Sequence, residues 1–138
     1  MKKQSAHHFL VQQAMDVRRH AYAPYSKFRV GAAIECEDGA VYCGVNVENC
    51  SYGLTVCAER NAIAAALAHG VKPGTLRKIA IVADSQTMVP PCGACRQVLL
   101  EFARPETQVI LYNLRNRKQT TTTIKRLLPN AFFTKHLT

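Results

Sequence analysis

Two short cysteine-bearing segments contain the residues of this sequence whose types and spacing suit metal chemistry. Cys57 is followed two positions later by Glu59, and Cys92 and Cys95 form a Cys-x-x-Cys pair. Each segment stands at the predicted start of a helix, where unpaired main-chain N–H groups favour the thiolate over the thiol. Three thiolates that converge on one point can hold a tetrahedral zinc ion with its fourth position open to water. That arrangement is typical of a catalytic zinc rather than a structural one.

A proton-transfer group and two cations stand beside the three cysteines. Glu59 follows a ligand closely without being one, so it is the candidate acid/base for a water at the open position. We predict that Arg60 and Arg96 donate to the sulfurs and restore the Lewis acidity that three anionic ligands weaken. A Cys-x-x-Cys pair alone also fits a redox pair, half of a structural zinc site or buried core. The two segments together match the signature of zinc deaminases, with cysteine as the first ligand.

The remaining cysteines leave one alternative open. The chain has six cysteines, but nothing in it indicates secretion, so we expect reduced thiols or metal ligands rather than disulfides. Cys50 could serve as a fourth zinc ligand. A closed site of four cysteines would be structural, and the deaminase interpretation would then fail.

The elements that must position these residues follow an α/β pattern. Hydrophobic periodicity, caps and turn residues predict a mixed sheet of about five strands with helices on its faces, forming a single domain over residues 1–138. The predicted helices span residues 5–22 (capped by Ser5 and ended by Pro24), 58–69, 92–103 and 124–128. The predicted strands span residues 28–36, 41–47, 78–83, 109–114 and 120–123, the first two joined through Asp38-Gly39.

Composition excludes several classes of protein. With 138 residues, 48% hydrophobic and 20% charged, the chain is not disordered or of low complexity. No apolar run has the length of a membrane span and no signal-peptide core is present, so we expect a soluble, cytoplasmic protein. The net charge of +9 lies mostly in residues 61–138, which hold eleven basic and three acidic side chains. The densest basic segment, residues 115–126, contains no aromatic residue, which favours a solvated face over a nucleic-acid site.

Six motifs resemble the small homotetrameric cytidine deaminases of the cytidine and deoxycytidylate deaminase family. The similarity runs from about Ser5 to Phe133, nearly the whole chain. The motifs are APYSKF at 23–28, VGAA at 30–33, GVNVEN at 44–49, CAER at 57–60, PCGACRQ at 91–97 and LLP at 127–129. The resemblance implies a three-layer α-β-α fold. It also implies zinc on Cys57, Cys92 and Cys95, with Glu59 as the acid/base.

The resemblance also implies a substrate site. Asn46 and Glu48 match the pair that holds the ribose 3′-hydroxyl, as an amide and a carboxylate can. Phe28 matches an aromatic residue beside the base, and the N–H of Ala58 at a helix start is placed to hold the base carbonyl. Three further residues match groups that reach the site of a neighbouring subunit: Phe132, which stacks on the pyrimidine, and Cys50 and Tyr52, near the ribose.

The implied function is hydrolytic deamination of cytidine and deoxycytidine to uridine and deoxyuridine, releasing ammonia in pyrimidine salvage. In this mechanism zinc-bound hydroxide attacks C4 of the base with the assistance of Glu59. The implied partners are a nucleoside substrate and three further copies of the chain, with neither nucleic acid nor membrane. Three alternatives remain: an enzyme for another cytosine-bearing small molecule such as blasticidin S, a polynucleotide deaminase, and a non-catalytic zinc module with a basic binding face.

Overall fold

The computed structural model describes residues 6–137, which form one mixed sheet with helices on both faces. The helices are α1 (Ala6–Arg18), α2 (Ala58–Ala68), α3 (Gly93–Phe102) and α4 (Ile124–Leu127). The strands are β1 (Gly31–Cys36), β2 (Val41–Val45), β3 (Leu76–Ala83), β4 (Ala103–Asn113) and β5 (Lys118–Thr123). Short 3₁₀ turns occur at Tyr52–Leu54 and Thr134–Leu137, where no element was predicted.

The five strands lie in the order β2-β1-β3-β4-β5. Strand β1 is antiparallel to both of its neighbours, β4 is parallel to β3, and β5 is antiparallel to β4. A parallel pair requires a connection that crosses back over the sheet, and this connection contains α3. The segment that carries Cys92 and Cys95 is therefore part of the crossover between the two parallel strands.

The two faces of the sheet are covered by different helices. Helix α1 packs its Leu10, Val11 and Ala14 on one face. Helices α2, α3 and α4 contribute buried side chains such as Ile63 and Leu99 to the core on the opposite face. The predicted three-layer α-β-α fold with a mixed five-stranded sheet is confirmed.

Two glycines allow the helices to approach the strands closely. A Cβ atom at Gly31 of β1 would lie 2.0 Å from the carbonyl oxygen of Ala14 in α1. A Cβ atom at Gly44 of β2 would lie 2.3 Å from the main-chain nitrogen of Ala62 in α2. Only glycine leaves room for these two close approaches. The contact at Gly44 sets the distance between α2 and the sheet.

Several predicted boundaries differ from those in the structure. The predicted cap Ser5 lies outside the described residues, and α1 ends at Arg18 rather than near residue 22. Strand β1 begins at Gly31 rather than residue 28. The side chain of Asn46, and not a neighbouring strand, makes hydrogen bonds to the carbonyl of Phe28 and the N–H of Val30. Over residues 6–137, none of the helices combines the length and the apolar character needed to cross a membrane.

Candidate active site

The first turns of α2 and α3 meet on the same face of the sheet and bring the three cysteines together. Cys57 is the residue before α2 and Cys92 the residue before α3, and both have extended backbone. The Sγ atom of Cys92 accepts a hydrogen bond from the main-chain N–H of Cys95 at 3.4 Å. A side chain that caps the first turn in this way fixes its own position relative to the helix. The local structure of α3 therefore holds two sulfurs at one helix end.

The three sulfurs lie where one metal ion can reach them all. The ligand atoms of Cys57, Cys92 and Cys95 are within 4.8 Å of one another. The Sγ atoms of Cys57 and Cys92 are 3.8 Å apart. Two sulfurs bound at about 2.3 Å to one tetrahedral zinc stand about 3.8 Å apart, so this spacing fits zinc. Thiolates are also the soft ligands that zinc accepts readily.

The pKa values of Cys57 and Cys95 are shifted in opposite directions. A hydrogen bond from the Cys95 thiol, assisted by Arg60, lowers the pKa of Cys57 to about 5. The same hydrogen bond and burial raise the pKa of Cys95 above its ordinary value. The lowered pKa of Cys57 favours its thiolate, which is the form that binds a metal ion.

Glu59 lies in the interior beside the sulfurs, with only 5% of its surface exposed. Its Oε2 atom lies 3.6 Å from the Sγ of Cys95. Burial raises the pKa of this carboxyl group, because removal from water disfavours the charged form. A carboxyl group with a raised pKa, next to a metal-binding group, is suited to accept and return a proton.

The two arginines predicted to assist the sulfurs differ in their contacts. Arg60 donates through Nη2 to the Sγ of Cys57 at 3.6 Å, while its Nε is buried without a hydrogen-bond partner among residues 6–137. The prediction for Arg96 is wrong: its guanidinium donates instead to the carbonyl oxygens of Pro91 and Leu127, each at 2.8 Å. Two main-chain carbonyls thus take the Nε and Nη1 donors of Arg96, and among residues 6–137 it makes no hydrogen bond to a sulfur.

A cavity of about 280 Å³ opens beside the sulfurs and Glu59. It has the size of a small-ligand site, and its walls are mostly apolar. Seven of the residues predicted to bind metal or substrate or to act in catalysis line it: Phe28, Asn46, Glu48, Cys57, Ala58, Glu59 and Cys92. The fold thus brings together, in one cavity, residues from four separate sequence motifs.

Asn46 and Glu48 both hold the loop that precedes β1. The Oδ1 of Asn46 accepts from the N–H of Val30 at 2.8 Å, and its Nδ2 donates to the carbonyl of Phe28 at 2.7 Å. An amide has a second proton and a second lone pair, so capacity for a ligand remains. The Oε1 of Glu48 accepts from the N–H groups of Tyr25 and Ser26 at 2.9 and 3.1 Å.

The three residues predicted to serve a neighbouring subunit do not line this cavity. Tyr52 is 75% exposed and packs edge-on against Tyr25, and Phe132 is 60% exposed and stacks on His136. Cys50 is exposed, and among residues 6–137 it does not belong to the metal-binding group. The alternative of a closed site of four cysteines is therefore not supported by the described part of the chain.

Sequence reasoning missed two residues that organise the site. The hydroxyl of Ser26 donates to Oε2 of Glu48, and the side-chain amide of Gln97 donates to the carbonyl of Phe132 at 3.1 Å. Ser26 lies in the motif at 23–28 and Gln97 in the motif at 91–97, but the sequence indicated no role for either residue. Their partners lie 22 and 35 residues away, and no local pattern indicates them.

The comparisons with known proteins agree with this geometry. Residues 4–111 match the family described as "Cytidine and deoxycytidylate deaminase zinc-binding region". The cytidine deaminase of Halalkalibacterium halodurans is 49% identical over 123 residues, covering 89% of this chain and 91% of the relative. The cytidine deaminase of Sporosarcina psychrophila is 46% identical over 123 residues, covering 89% of this chain and 88% of the relative.

A solved structure shows the same fold. The crystal structure of cytidine deaminase from Burkholderia pseudomallei superposes with a TM-score of 0.88 at 48% identity, covering 91% of this chain and 98% of that one. The fold and the group of three thiols define an enzyme of the zinc-dependent deaminase class. The chain belongs to the cytidine and deoxycytidylate deaminase family, and its cofactor is zinc.

Proposed function

We propose that this protein catalyses the hydrolytic deamination of cytidine and deoxycytidine to uridine and deoxyuridine, with release of ammonia. The observation that carries the proposal is a buried carboxylate beside three converging thiols, in a cavity that is also lined by an amide and a second carboxylate. The relatives described above are named cytidine deaminases, which supports the same substrate.

The cofactor and its ligands follow from the thiol group. Cys57, Cys92 and Cys95 would hold the zinc ion. When bound, zinc supplies Lewis-acid activation of a water molecule, so that a nucleophile is available near neutral pH. Arg60 withdraws charge from Cys57 through its hydrogen bond to the sulfur.

Glu59 performs the proton transfers in this proposal. Its carboxylate takes a proton from the attacking water and delivers it to N3 of the base, which makes C4 more electrophilic. It then carries the hydroxyl proton to the amino group, which leaves as ammonia. A positioned acid/base of this kind accelerates a reaction about 10²–10⁴-fold. The burial of Glu59 keeps bulk water away from these transfers.

The cavity orients the nucleoside. The N–H of Ala58, in the first turn of α2, has no partner within the helix and is assigned to the base carbonyl. Phe28 packs beside the base, and Asn46 and Glu48 receive the ribose 3′-hydroxyl.

We further propose that the chain acts as a single domain within a homotetramer. Phe132, Tyr52 and Cys50 are exposed and stand outside the cavity of their own chain. In the tetramer Phe132 would close the base end of a neighbouring site, with Tyr52 and Cys50 near a neighbouring ribose. An exposed aromatic ring that covers a ligand in a second subunit would make activity depend on assembly.

The test is an absorbance assay that follows the conversion of cytidine to uridine, with Glu59→Gln beside the wild type. We expect turnover by the zinc-loaded wild type and a loss of at least about 10²-fold in Glu59→Gln, with the zinc content unchanged. Deoxycytidine and a cytosine-containing oligonucleotide complete the substrate panel. A zinc-loaded wild type that is inactive on both nucleosides would overturn the proposed function.

A further inference from the structure

We propose that Ser26 is a positioning residue that fixes the carboxylate of Glu48 for the sugar hydroxyl of the substrate. The proposal rests on the function proposed above and adds a residue to it. Ser26 lines the same cavity, and the role proposed for its hydroxyl is to hold Glu48 rather than to bind the sugar itself. Its role is to determine how tightly the enzyme recognises a sugar that carries a 3′-hydroxyl.

The hydroxyl of Ser26 makes hydrogen bonds to two residues that line the substrate cavity. It donates to Oε2 of Glu48, at the sugar end. It also accepts from the main-chain N–H of Phe28 at 3.0 Å, at the base end. One hydroxyl group thus uses its donor on the sugar-binding carboxylate and an acceptor on the residue beside the base.

The carboxylate of Glu48 is held at both oxygens. Oε1 accepts the N–H groups of Tyr25 and Ser26, and Oε2 accepts the Ser26 hydroxyl. Hydrogen bonds to an ionised group are about twice as strong as neutral ones, so these contacts hold the carboxylate in one orientation. Oε1 uses both of its lone pairs in these contacts, so the acceptor position left for a sugar hydroxyl is on Oε2. Removal of the serine hydroxyl would free Oε2 while leaving Oε1 in place.

The backbone at Lys27 brings the serine hydroxyl into position. Lys27 has a φ of +59°, in the left-handed region, and its N–H donates to the carbonyl of Ala23 at 3.0 Å. This turn folds the chain back so that the Ser26 side chain reaches the N–H of Phe28, two residues later. The loop geometry therefore specifies a short hydroxyl side chain at residue 26.

The test measures KM and kcat of Ser26→Ala with cytidine and with 3′-deoxycytidine, which lacks the hydroxyl assigned to Glu48. We expect KM for cytidine to rise about tenfold, as for loss of one hydrogen bond to a charged group. KM for 3′-deoxycytidine should change less than about twofold. The kcat for cytidine should stay within a few-fold, because Ser26 does not contact Glu59 or the sulfurs.

Two further variants control the experiment. Ser26→Thr keeps the hydroxyl and should restore most of the affinity for cytidine. Ser85→Ala removes a serine hydroxyl that has no hydrogen bond to any of residues 6–137, and should behave as the wild type. If Ser26→Ala is unstable, the Ser26→Thr variant still tests the proposal. The affinity for uridine is then measured by calorimetry for this variant and for the wild type.

The outcomes separate this proposal from the proposed function. A wild type without cytidine deaminase activity overturns the proposed function and the role of Ser26 with it. An active wild type with an unchanged Ser26→Ala variant overturns the role of Ser26 alone. An equal rise in KM for cytidine and 3′-deoxycytidine also overturns it, because the serine would then act on the loop as a whole.

Discussion

The side-chain amide of Gln97 donates to the main-chain carbonyl of Phe132 at 3.1 Å. Gln97 stands two residues after Cys95, and the intervening Arg96 donates to the carbonyl of Leu127 at 2.8 Å. The turn of α3 that carries a metal ligand therefore also holds the C-terminal segment. The position of the exposed Phe132 ring depends on this turn.

Replacement of Gln97 by Ala should loosen the C-terminal segment. Loss of one hydrogen bond of about 0.5–1.5 kcal/mol should raise KM for cytidine about two- to tenfold, since Phe132 would close the neighbouring site less firmly. Hydrogen exchange in residues 128–133 should rise in the same variant. Gln119→Ala, on the exposed edge strand β5, is the matched control. Unchanged exchange in Gln97→Ala would show that other contacts position Phe132.

Replacement of Gly44 by Ala should destabilise the protein and disturb the metal site. The added methyl group would lie 2.3 Å from the nitrogen of Ala62 and 2.4 Å from the carbonyl oxygen of Ala58, both main-chain atoms of α2. We expect a loss of about 1–3 kcal/mol in the free energy of unfolding, measured by urea denaturation. Gly53→Ala is the control, because a Cβ atom there meets nothing within 4 Å. Equal stability of the two variants would contradict the close contact.

Replacement of Arg60 by Gln should weaken zinc binding. The guanidinium is a hydrogen-bond donor to the Sγ of Cys57, and loss of such a supporting contact typically reduces metal affinity about 10–100-fold. Competition with a chromophoric chelator measures this change directly. Arg126→Gln removes an exposed arginine of α4 and serves as the control. If zinc affinity and turnover are both unaffected in Arg60→Gln, the arginine has no part in tuning the metal.

Recognition of the sugar should depend on pH through Glu48. The hydrogen bond from Ser26 lowers the pKa of Glu48 below its ordinary value of 4.5, with a smaller contribution from Lys27. Binding through the carboxylate is therefore complete above the ordinary value and is lost as the pH falls through the lowered pKa. The other titratable groups that face Glu48, Tyr25 and Tyr52, line the same pocket. In Ser26→Ala the loss should begin at higher pH.

The measurement for this prediction is the ratio of KM for 3′-deoxycytidine to KM for cytidine as a function of pH. Titration of Glu59 or of the thiols affects both substrates and cancels in the ratio. We expect the ratio to fall toward one on acidification, and to fall earlier in Ser26→Ala. A ratio that is independent of pH would remove Glu48 from sugar recognition.

Local signals predicted the elements that carry the metal ligands. Helix α2 begins at Ala58 as expected, and Gly70, with a φ of +85°, stands two residues past its end. The turn at Asp38-Gly39 also forms as predicted, with Gly39 at a φ of +86°. These features depend on caps, glycines and periodicity within a few residues, so they can be predicted from the sequence alone.

The start of β1 and the partners of Arg96 were not predicted, because they depend on contacts between residues that are distant in the chain. The apolar residues before Gly31 have the composition of a strand, but Asn46 bonds to the backbone of Phe28 and Val30 from 18 and 16 residues away. Arg96 lies beside a ligand in sequence, yet its guanidinium donates to the carbonyl of Leu127, 31 residues distant, rather than to a sulfur. Adjacency along the chain does not determine which of several acceptors a long side chain reaches.

The path of the chain through the sheet has a consequence for how the metal site assembles. Cys57 and Cys92 are 35 residues apart, and β3 lies between them in the chain, so the ends of α2 and α3 meet through a contact between distant segments. Pairings between distant segments form slowly, after most local structure. We therefore expect the complete set of ligands to form late in folding, so that zinc stabilises the native state rather than the earlier steps that lead to it.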